Sequence, residues 1–402
     1  MSEPFYFAGS LPPSKSLVIR SLLLTLHQSG IAIPVLSACA DVQKMATACR
    51  LLSGDDPHVQ IDCGEAGLVL RLCLAYAARR PGRTTLIGSP RLLSRPHDTL
   101  VSALRLLGAQ VDFDRAQGSV HVQSPSHGWR DPGQPLQLAG ASSSQFGSAL
   151  LLNAWSLPFA LRLHVGTDPV SHGYLQMSQR MAARFGMRIH DDGEGTLTIP
   201  SKQTPIAGQA ESEADVSSAF AVAALAAVGG TAHIHNFPQH SQQPDVAFVD
   251  FLRTMGIALC VDECGLSVAR STVPLRPLHV DVAGCPDLVP VLSVLCGVAA
   301  GESVLSGAPH LRDKESDRIA TSAALLRLLG RQVEERDDGL KIVGRPFSAS
   351  DAERPLHVDA GRDHRVVMAA AVARQAGFPL TIRSLDAVEK SFPELLSIAN
   401  LH

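Results

Sequence analysis

One pattern recurs six times along this chain and limits the folds that it can adopt. A cluster of small or polar residues opens an alanine- and leucine-rich helix, which ends at glycine or proline and is followed by a β-branched strand. The six copies begin SKSLVIR, GEAGLVL, SSSQFGS, DVSSAFA, PDLVPVL and DHRVVMA. Their spacing of roughly 50 to 80 residues predicts one supersecondary unit used repeatedly, rather than a doubly wound parallel sheet.

The repeated helices carry almost no charge beyond their first turn, which is typical of helices buried on most sides. Between them lie amphipathic helices, such as those in HDTLVSALRLLGAQV and KESDRIATSAALLRLLGRQV, each ending at glycine before a strand. We therefore expect an α/β protein with helices inside and sheets outside. Three copies precede the segment AGQAESEAD and three follow it, which predicts a domain boundary near Gln209 to Glu213.

The bulk properties of the chain narrow its class. A length of 402 residues suggests two or three domains, because a domain has about 100 to 200 residues. A formal net charge of −3 argues against a nucleic-acid coat or a binder of acidic membranes, so any anion site must be local. The eight cysteines include no C-x-x-C pair, and no apolar stretch reaches the ~18 residues that span a bilayer. With no signal-like start, these features predict a soluble cytoplasmic protein.

The stretch GSLPPSKS resembles a phosphate-binding P-loop, but Ser14 stands where that loop needs its second glycine. Pro12 and Pro13 also remove two of the backbone N–H donors with which a P-loop surrounds phosphate. We therefore reject the P-loop and keep Lys15 and Ser16 as candidate anion ligands at the start of a helix.

Polar and cationic residues gather at the N-terminal ends of the repeated helices, where unpaired N–H groups and the helix dipole favour anions. A serine at such a position is most often an N-cap. A lone arginine there opposes the dipole, so the arginines favour an anion nearby. The candidates are Lys15, Ser16 and Arg20 on the first helix, Arg71 on the second, Ser143, Ser144 and Gln145 on the third, and His364 and Arg365 on the sixth.

Two acidic segments have two interpretations each. The acidic residues of RDKESDR suit a solvated helix start. Lys314 and Arg318, however, would be like charges four residues apart on one helix face, unless an anion lies between them. Asp287 precedes an apolar helix and is either its N-cap or a carboxylate that takes a proton from a substrate hydroxyl.

Metal binding and nucleophilic catalysis have weaker support. His233 and His235 would share one face of a strand, but neither a third ligand nor an H-E-x-x-H motif accompanies them. No G-x-S-x-G motif occurs, and no cysteine lies at a cationic helix start. The sequence therefore favours neither a metal site nor a nucleophilic enzyme of these kinds.

Together, the motifs from PPSKSLVIR to KSFPEL resemble the 5-enolpyruvylshikimate-3-phosphate synthase (EPSP synthase) family over essentially the whole chain. The resemblance implies the two-domain enolpyruvyl-transferase fold, each domain built from three βαβαββ units. It assigns residues 14–211 to one domain and residues 1–13 and 212–402 to the other, with the active site in the cleft between them. The implied reaction transfers the enolpyruvyl group of phosphoenolpyruvate to the 5-hydroxyl of shikimate 3-phosphate, by addition and elimination, without a cofactor. A monomer would be adequate.

The resemblance also implies roles for individual residues. Asp287 would take the proton from the 5-hydroxyl, Glu315 would lie by the methylene carbon of phosphoenolpyruvate, and Lys15, Lys314 and His364 would complete the catalytic set. The implied ligands of shikimate 3-phosphate are Lys15, Ser16, Arg20, Ser143, Ser144, Gln145, Ser171, Tyr174, Asp287 and Lys314. The implied ligands of phosphoenolpyruvate are Lys15, Gly67, Arg95, Gln145, Arg318, Arg365 and Lys390.

This chain departs from the family pattern at several positions. Glu65 and Leu68 stand where many members have Asn and Thr. His310 replaces an Asn, and Gly173 replaces a Pro. A carboxylate beside an anion site weakens binding unless it pairs with a cation such as Arg95, so we expect no direct ligand role for Glu65.

Two other functions stay open. The related UDP-N-acetylglucosamine enolpyruvyl transferases share the fold and phosphoenolpyruvate, but their site begins with Lys-Asn and commonly uses a loop Cys. Here Ser16 follows Lys15, and the corresponding SPRLLSRP has no Cys. Outside the enzymes, the alternative is a non-catalytic protein that binds phosphate ligands. The retention of Asp287, Lys314, Glu315 and Lys390 argues against it, because a mere binder does not need all of the proton-handling groups.

Overall fold

The computed structural model describes residues 4–168 and 170–401. Contacts divide the chain into two compact units. The N-terminal unit is Lys15–Ser212, and the C-terminal unit combines the chain up to Ser14 with the chain from Glu213 onwards. The backbone therefore passes from one unit to the other twice.

The described residues form twenty strands, thirteen α-helices and five short 3-10 helices. The strands are β1 (Phe5–Gly9), β2 (Ile31–Ala32), β3 (His58–Gly64), β4 (Arg83–Gly88), β5 (Gln110–Asp114), β6 (Ser119–Gln123), β7 (Leu136–Gln137), β8 (Leu161–His164), β9 (His190–Asp191), β10 (Thr196–Ile199), β11 (Gly208–Gln209), β12 (Gly230–Ile234), β13 (Ala258–Asp262), β14 (Gly265–Ala269), β15 (His279–Asp281), β16 (Gly301–Ser306), β17 (Gln332–Arg336), β18 (Gly339–Gly344), β19 (Leu356–Asp359) and β20 (Leu380–Arg383). The α-helices are α1 (Lys15–Thr25), α2 (Ala40–Leu52), α3 (Gly67–Ala77), α4 (Pro90–Ser94), α5 (Asp98–Leu106), α6 (Gln145–Leu152), α7 (His172–Arg184), α8 (Val216–Gly229), α9 (Phe248–Thr254), α10 (Val289–Val298), α11 (Arg318–Leu328), α12 (His364–Gln375) and α13 (Leu395–Ile398). The 3-10 helices are Pro244–Ala247, Pro286–Leu288, Pro309–Asp313, Ala349–Ala352 and Leu385–Lys390.

The N-terminal unit contains two four-stranded sheets, in the orders β3-β4-β6-β5 and β7-β8-β10-β9. In each, the first two strands are parallel and the other pairs are antiparallel. The chain runs β-α-β-α-β-β through both, with right-handed crossovers expected for such units. A third sheet holds only the parallel pair β2 and β11.

The C-terminal unit repeats this organisation. Its four-stranded sheets have the orders β1-β12-β14-β13 and β15-β16-β18-β17, and its third sheet is the parallel pair β19 and β20. The first strand of its first sheet comes from the start of the chain, where Phe5 lies opposite Gly230 of β12. In both units, therefore, two copies of the βαβαββ repeat are complete and the third has a shortened sheet.

All six helices predicted from the repeat are present, as α1, α3, α6, α8, α10 and α12. Every residue of α10 is buried, and so are nearly all residues of α8 and α12. Strands such as β3 instead alternate between exposed and buried residues, so one face packs on helices and the other meets water. Each unit has its own apolar core. Within the described parts of the chain, no helix is long and apolar enough to cross a bilayer.

Candidate active site

The guanidinium of Arg318 is the centre of an ion-pair cluster in the C-terminal unit. Arg318 is the first residue of α11 and is almost fully buried. Its Nη1 donates to Asp287 Oδ1 at 2.7 Å, its Nη2 to Glu315 Oε2 at 3.0 Å, and its Nε to Asp363 Oδ2 at 2.9 Å. One buried cation therefore holds three carboxylates from three segments of the chain.

Two further cations complete this cluster. Arg365 Nη2 lies 3.3 Å from the second oxygen of Asp287, and Lys390 Nζ donates to Glu315 Oε1 at 3.0 Å. Asp287 and Glu315, the two carboxylates with predicted catalytic roles, are thus each held by two cations. The structure brings together five of the residues that the sequence singled out in this unit.

The surrounding charges decide the protonation of Asp287. Burial alone would raise its pKa, but the charges of Arg318, Arg365 and Lys314 outweigh burial and hold the pKa well below the usual range of a carboxyl. Burial would likewise lower the pKa of Arg318, but its carboxylate partners raise it. Asp287 and Arg318 are therefore both ionised at neutral pH.

The structure contradicts two interpretations of this cluster, the one of Asp287 as an N-cap and the one of Lys314 and Arg318 as neighbours on a helix. Asp287 is not a side-chain N-cap, because it lies in the 3-10 helix Pro286–Leu288 before α10 and its carboxylate contacts the two arginines. Lys314 and Arg318 do not share a helix face, because α11 begins only at Arg318 while Lys314 has an extended backbone. Asp317 caps α11 by accepting two backbone N–H groups of the first turn, as the simpler interpretation of this segment held.

Asp363 is a member of the cluster that the sequence reasoning missed. It is fully buried and caps α12, accepting from the N–H of Arg365 at 2.9 Å. It also accepts from Ser316 Oγ at 2.8 Å. The available signal was an aspartate directly before a helix, which by itself indicates only a cap. His364, the next residue, is buried with its Nδ1 3.9 Å from Asp363 Oδ1.

His310, which replaces the Asn of many family members, is buried near the same cluster. Burial, and then the positive charge of Lys314, lower the pKa of His310 to about 3. Its imidazole is therefore neutral at physiological pH and, like an amide, can both donate and accept one hydrogen bond.

In the N-terminal unit, the residues at the start of α1 are held by α2 and α7. Lys15 Nζ lies 3.1 Å from Asp41 Oδ2. Arg20 is almost fully buried and donates to Ser178 Oγ at 2.8 Å and to the carbonyl of Ser16 at 2.9 Å. Burial lowers the pKa of Arg20 to about 10. A buried guanidinium whose partners here are neutral oxygens is a suitable ligand for an anion.

Gly67 allows two guanidiniums to approach the start of α3. A Cβ at this position would lie 2.8 Å from Arg95 Nη1 and 3.4 Å from Arg71 Nη1. Arg71 also donates to Gln145 Oε1 at 2.6 Å, and its guanidinium lies over the ring of Phe146. This contact joins α3 to α6 and brings the predicted residues Gly67, Arg95 and Gln145 together.

The serines of the N-terminal unit differ in what they do. Ser143 Oγ accepts the N–H of Gln145 at 3.3 Å, whereas the side chain of Ser144 makes no capping bond. Both line a cavity of about 50 Å³ at the start of α6. Ser171, just before α7, has a left-handed backbone with φ of 54°, a strained conformation that often occurs at functional sites. Tyr174 lies in the first turn of α7, and its backbone N–H donates to Ser171 O.

The two histidines considered for a metal have other contacts. The rings of His233 and His235 lie 4.8 Å apart, and His233 Nδ1 is 2.8 Å from Ser267 Oγ. Among residues 4–168 and 170–401, no group of three or more His, Cys, Asp or Glu is placed to hold a metal ion.

Solved structures with a similar fold define the class of this protein. EPSP synthase from Acinetobacter baumannii matches it with a TM-score of 0.75 and 21% sequence identity, over 100% of this chain and 96% of that one. The enolpyruvyl transferase NikO from Streptomyces tendae matches with a TM-score of 0.72 and 14% identity, over 99% and 95%. The protein has the two-domain enolpyruvyl-transferase fold, which confirms the predicted fold class.

Sequence comparisons give the family. The sequence model of EPSP synthase (3-phosphoshikimate 1-carboxyvinyltransferase) matches residues 54–398. The 3-phosphoshikimate 1-carboxyvinyltransferase of Methanoculleus marisnigri is 33% identical over 97% of this chain and 95% of its own length. That of Methanocella arvoryzae is 34% identical over 95% and 93%. This chain belongs to the EPSP synthase family, as its motifs predicted.

Proposed function

We propose that this protein transfers the enolpyruvyl group of phosphoenolpyruvate to the 5-hydroxyl of shikimate 3-phosphate and releases phosphate, as the family name implies. This reaction belongs to the shikimate pathway of aromatic amino-acid biosynthesis. The observation that carries the proposal is the carboxylate of Asp287, which is held ionised between Arg318 and Arg365. Such a group can accept a proton from a hydroxyl beside a strongly cationic site.

The chemistry follows from this charge arrangement. The 5-hydroxyl attacks C2 of phosphoenolpyruvate, losing its proton to Asp287 while C3 gains one. Loss of phosphate and of a C3 proton from the tetrahedral intermediate then restores the double bond. An anionic substrate that binds Arg318 and Arg365 offsets the positive charge that they present to Asp287. The pKa of Asp287 then rises towards that of a useful base. General acid and base catalysis of this kind contributes about 10²–10⁴ to a rate.

The proposed ligands come from both units. Shikimate 3-phosphate would be held through the N-terminal unit by the start of α1, the start of α6, Ser171 and Tyr174, and through the C-terminal unit by Asp287 and Lys314. Phosphoenolpyruvate would be held by Lys15, Gly67, Arg95 and Gln145 of the N-terminal unit and by Arg318, Arg365 and Lys390 of the C-terminal unit. Glu315 would lie by its methylene carbon, and His364 would be a further catalytic residue. The buried arginines of both units support anion binding.

We also propose a cytoplasmic monomer that works without a cofactor. Each unit has its own core, so no partner is needed for folding. The cysteines of the described chain are free thiols and most are buried, which suits a reducing compartment. Light scattering after size-exclusion chromatography measures the oligomeric state.

The experiment that tests the function is phosphate release by the purified protein. Phosphoenolpyruvate is supplied with shikimate 3-phosphate or, separately, with UDP-N-acetylglucosamine. We expect release only with shikimate 3-phosphate. Release with the nucleotide sugar would instead identify the related transferase activity. No release in either reaction, together with calorimetric binding of shikimate 3-phosphate, would identify a binding protein.

The role of Asp287 is tested by Asp287→Asn, which keeps the shape of the side chain and removes its charge. We expect kcat to fall at least about 100-fold, while the affinity for shikimate 3-phosphate stays within about tenfold. The surface variant Asp250→Asn is the matched control and should change neither quantity. Equal losses of turnover and of affinity would contradict the assigned role.

A further inference from the structure

The last sheet of the C-terminal unit is shorter than the repeat requires. In the two complete sheets, the second strand, β12 or β16, pairs on one side with the first strand and on the other with an antiparallel strand, β14 or β18. The strand at the same place in the last sheet is β20. Among the described strands, β20 pairs only with β19.

A cavity of about 1250 Å³ adjoins β20. Three consecutive residues of the strand line it, Leu380, Thr381 and Ile382. Because successive side chains of a strand point to opposite faces, a cavity that reaches all three meets the edge of the strand and not one face alone. The lining also includes the end of α8, Arg270 just after β14 and Pro4 just before β1.

The volume of this cavity is close to the volume of the two strands that the last copy of the repeat lacks. Strands lie about 4.8 Å apart, rise about 3.3 Å per residue, and occupy a layer about 10 Å thick, so one strand as long as β20 fills roughly 600 Å³. The cavity of about 1250 Å³ therefore has room for about two such strands. Small-molecule pockets are usually smaller, at about 300–1,000 Å³.

The backbone of β20 offers hydrogen bonds towards the cavity. Leu356 N–H donates to Pro379 O, and Ala360 N–H donates to Arg383 O. Since alternate residues of a strand face one neighbour, Thr381 and Arg383 face β19 while the N–H and C=O of Ile382 face the other edge. This edge can pair with a further strand.

The side chains around the cavity indicate what that strand would contain. Its cationic lining residues are Arg270 and Arg374, and the described lining includes no carboxylate. The remaining walls are largely apolar, with Phe347, Phe378 and Leu380 among them. We propose that an extended acidic peptide segment of a partner protein binds here, pairing antiparallel with β20 and alternating apolar with acidic side chains.

This site is separate from the active-site cluster and does not rest on the proposed reaction. Arg374 and Gln375 lie at the C-terminal end of α12, whereas His364 and Arg365 open that helix at the other end. This helix has 12 residues and is therefore about 18 Å long. Binding at the cavity can therefore be measured without substrates and without turnover.

Fluorescence anisotropy with labelled synthetic peptides tests the proposal. The probes are the acidic hexapeptide Glu-Val-Thr-Val-Glu-Val, its charge-reversed form Lys-Val-Thr-Val-Lys-Val, and Glu-Val-Pro-Pro-Glu-Val, whose prolines cannot pair with a strand edge. We expect saturable binding of the acidic peptide, at least about fivefold weaker binding of the basic one, and no binding of the proline peptide.

Two variants of the protein locate the binding. Ile382→Pro removes the N–H that faces the cavity and leaves the bonds of Thr381 and Arg383 to β19, so the acidic peptide should bind at least about tenfold more weakly. Ile382→Val keeps that N–H and should bind within about twofold. Arg270→Glu should reverse the preference from the acidic to the basic peptide. Circular dichroism verifies that each variant is folded.

Three results would overturn the proposal. The first is no saturable binding of the acidic peptide up to about 1 mM, or equal binding of the proline peptide. The second is binding of anilinonaphthalene sulfonate that Arg270→Glu abolishes and Ile382→Pro does not alter, which would make this a site for a small organic anion. The third is self-association that Ile382→Pro abolishes, which would make a second copy of this chain the occupant. The peptide comparisons decide the outcome even where Ile382→Pro does not fold.

Discussion

Arg318 and Asp363 are joined by two hydrogen bonds at a point that water hardly reaches. Arg318 Nε donates to Asp363 Oδ2 at 2.9 Å and its Nη2 donates to Oδ1 at 3.1 Å, with side-chain exposures of 1% and 0%. Because Arg318 opens α11 and Asp363 caps α12, the pair fixes the starts of two helices. Those helix starts carry Arg318 and Arg365, the cations that hold Asp287.

The first prediction concerns the charge of this pair. Asp363→Asn keeps a side chain that can cap α12 but removes the negative charge beside Arg318. Breaking a buried ion pair by removing one partner costs about 3–5 kcal/mol. Arg318 retains Asp287 and Glu315, so we expect the free energy of unfolding to fall by about 2–3 kcal/mol, measured by urea denaturation with circular dichroism.

The surface pair of Asp250 and Arg253 provides the control for this measurement. Asp250 lies 3.1 Å from Arg253 on α9, with most of its side chain in water. Asp250→Asn should change the free energy of unfolding by less than about 0.5 kcal/mol. Similar losses for the two variants would mean that burial of the Arg318–Asp363 pair has no energetic consequence.

A second prediction concerns stability in acid. The folded protein holds the pKa of Asp287 well below its usual value, because the attraction of Arg318, Arg365 and Lys314 exceeds the effect of burial. This carboxylate therefore stabilises the fold above its unfolded pKa of about 3.9. The contribution is lost progressively as the pH falls below that value.

Asp287→Asn removes this titration. Between about pH 4 and pH 2, the free energy of unfolding of the variant should fall less steeply with acidification than that of the parent protein. Urea denaturation at a series of pH values measures both slopes. Parallel slopes would show that protonation of Asp287 is not coupled to unfolding.

The repeat made much of the fold predictable. The six buried helices could be located because an uncharged alanine- and leucine-rich segment after a polar cluster depends on local composition. The shortened third sheets could not be predicted. Each contains only two strands, β2 with β11 or β19 with β20, where the other sheets contain four. The absence of a pairing partner leaves no mark in the residues of the strand that remains.

Many residues of the candidate site could be predicted from the sequence, but the ion pairs between them could not. Arg318 was selected for its place beside Lys314, yet the helix begins later than expected because Asp317 caps it. The partner Asp363 lies 45 residues further along the chain, and no local pattern indicates which carboxylate a buried arginine will meet. Sequence patterns identify helix starts well, but they do not show how those starts pack against one another.

A third prediction concerns the replacement of Asn by His310. Burial and the charge of Lys314 lower the pKa of His310 to about 3, so the imidazole does not titrate near neutral pH. His310→Asn should therefore leave the shape of the pH profile of kcat between about pH 5 and pH 8 unchanged, whatever its effect on the absolute rate. The loss of a limb of the profile near pH 6–7 in the variant would show that this histidine titrates during turnover.

The last prediction concerns the space at Gly67. A methyl group there would lie 2.8 Å from Arg95 Nη1, too close for two non-bonded heavy atoms, so the guanidinium must move away from the start of α3. If Arg95 binds phosphoenolpyruvate as we propose, Gly67→Ala should raise the KM for phosphoenolpyruvate about tenfold or more. The affinity for shikimate 3-phosphate should change much less, because the partners of Arg20 on α1 and α7 are not displaced.

Gly284 provides the matched control, because a Cβ at that position would meet nothing within 4 Å. Gly284→Ala should leave the KM for both substrates unchanged. The comparison distinguishes the effect of replacing a glycine from the effect of filling the space beside Arg95. Initial rates with either substrate varied give the two KM values for each variant. An unchanged KM for phosphoenolpyruvate in Gly67→Ala would mean that the position of Arg95 does not limit binding of that substrate. An equal rise of KM for both substrates would instead indicate a general disturbance of α3. Such a disturbance would also break the hydrogen bond between Arg71 and Gln145.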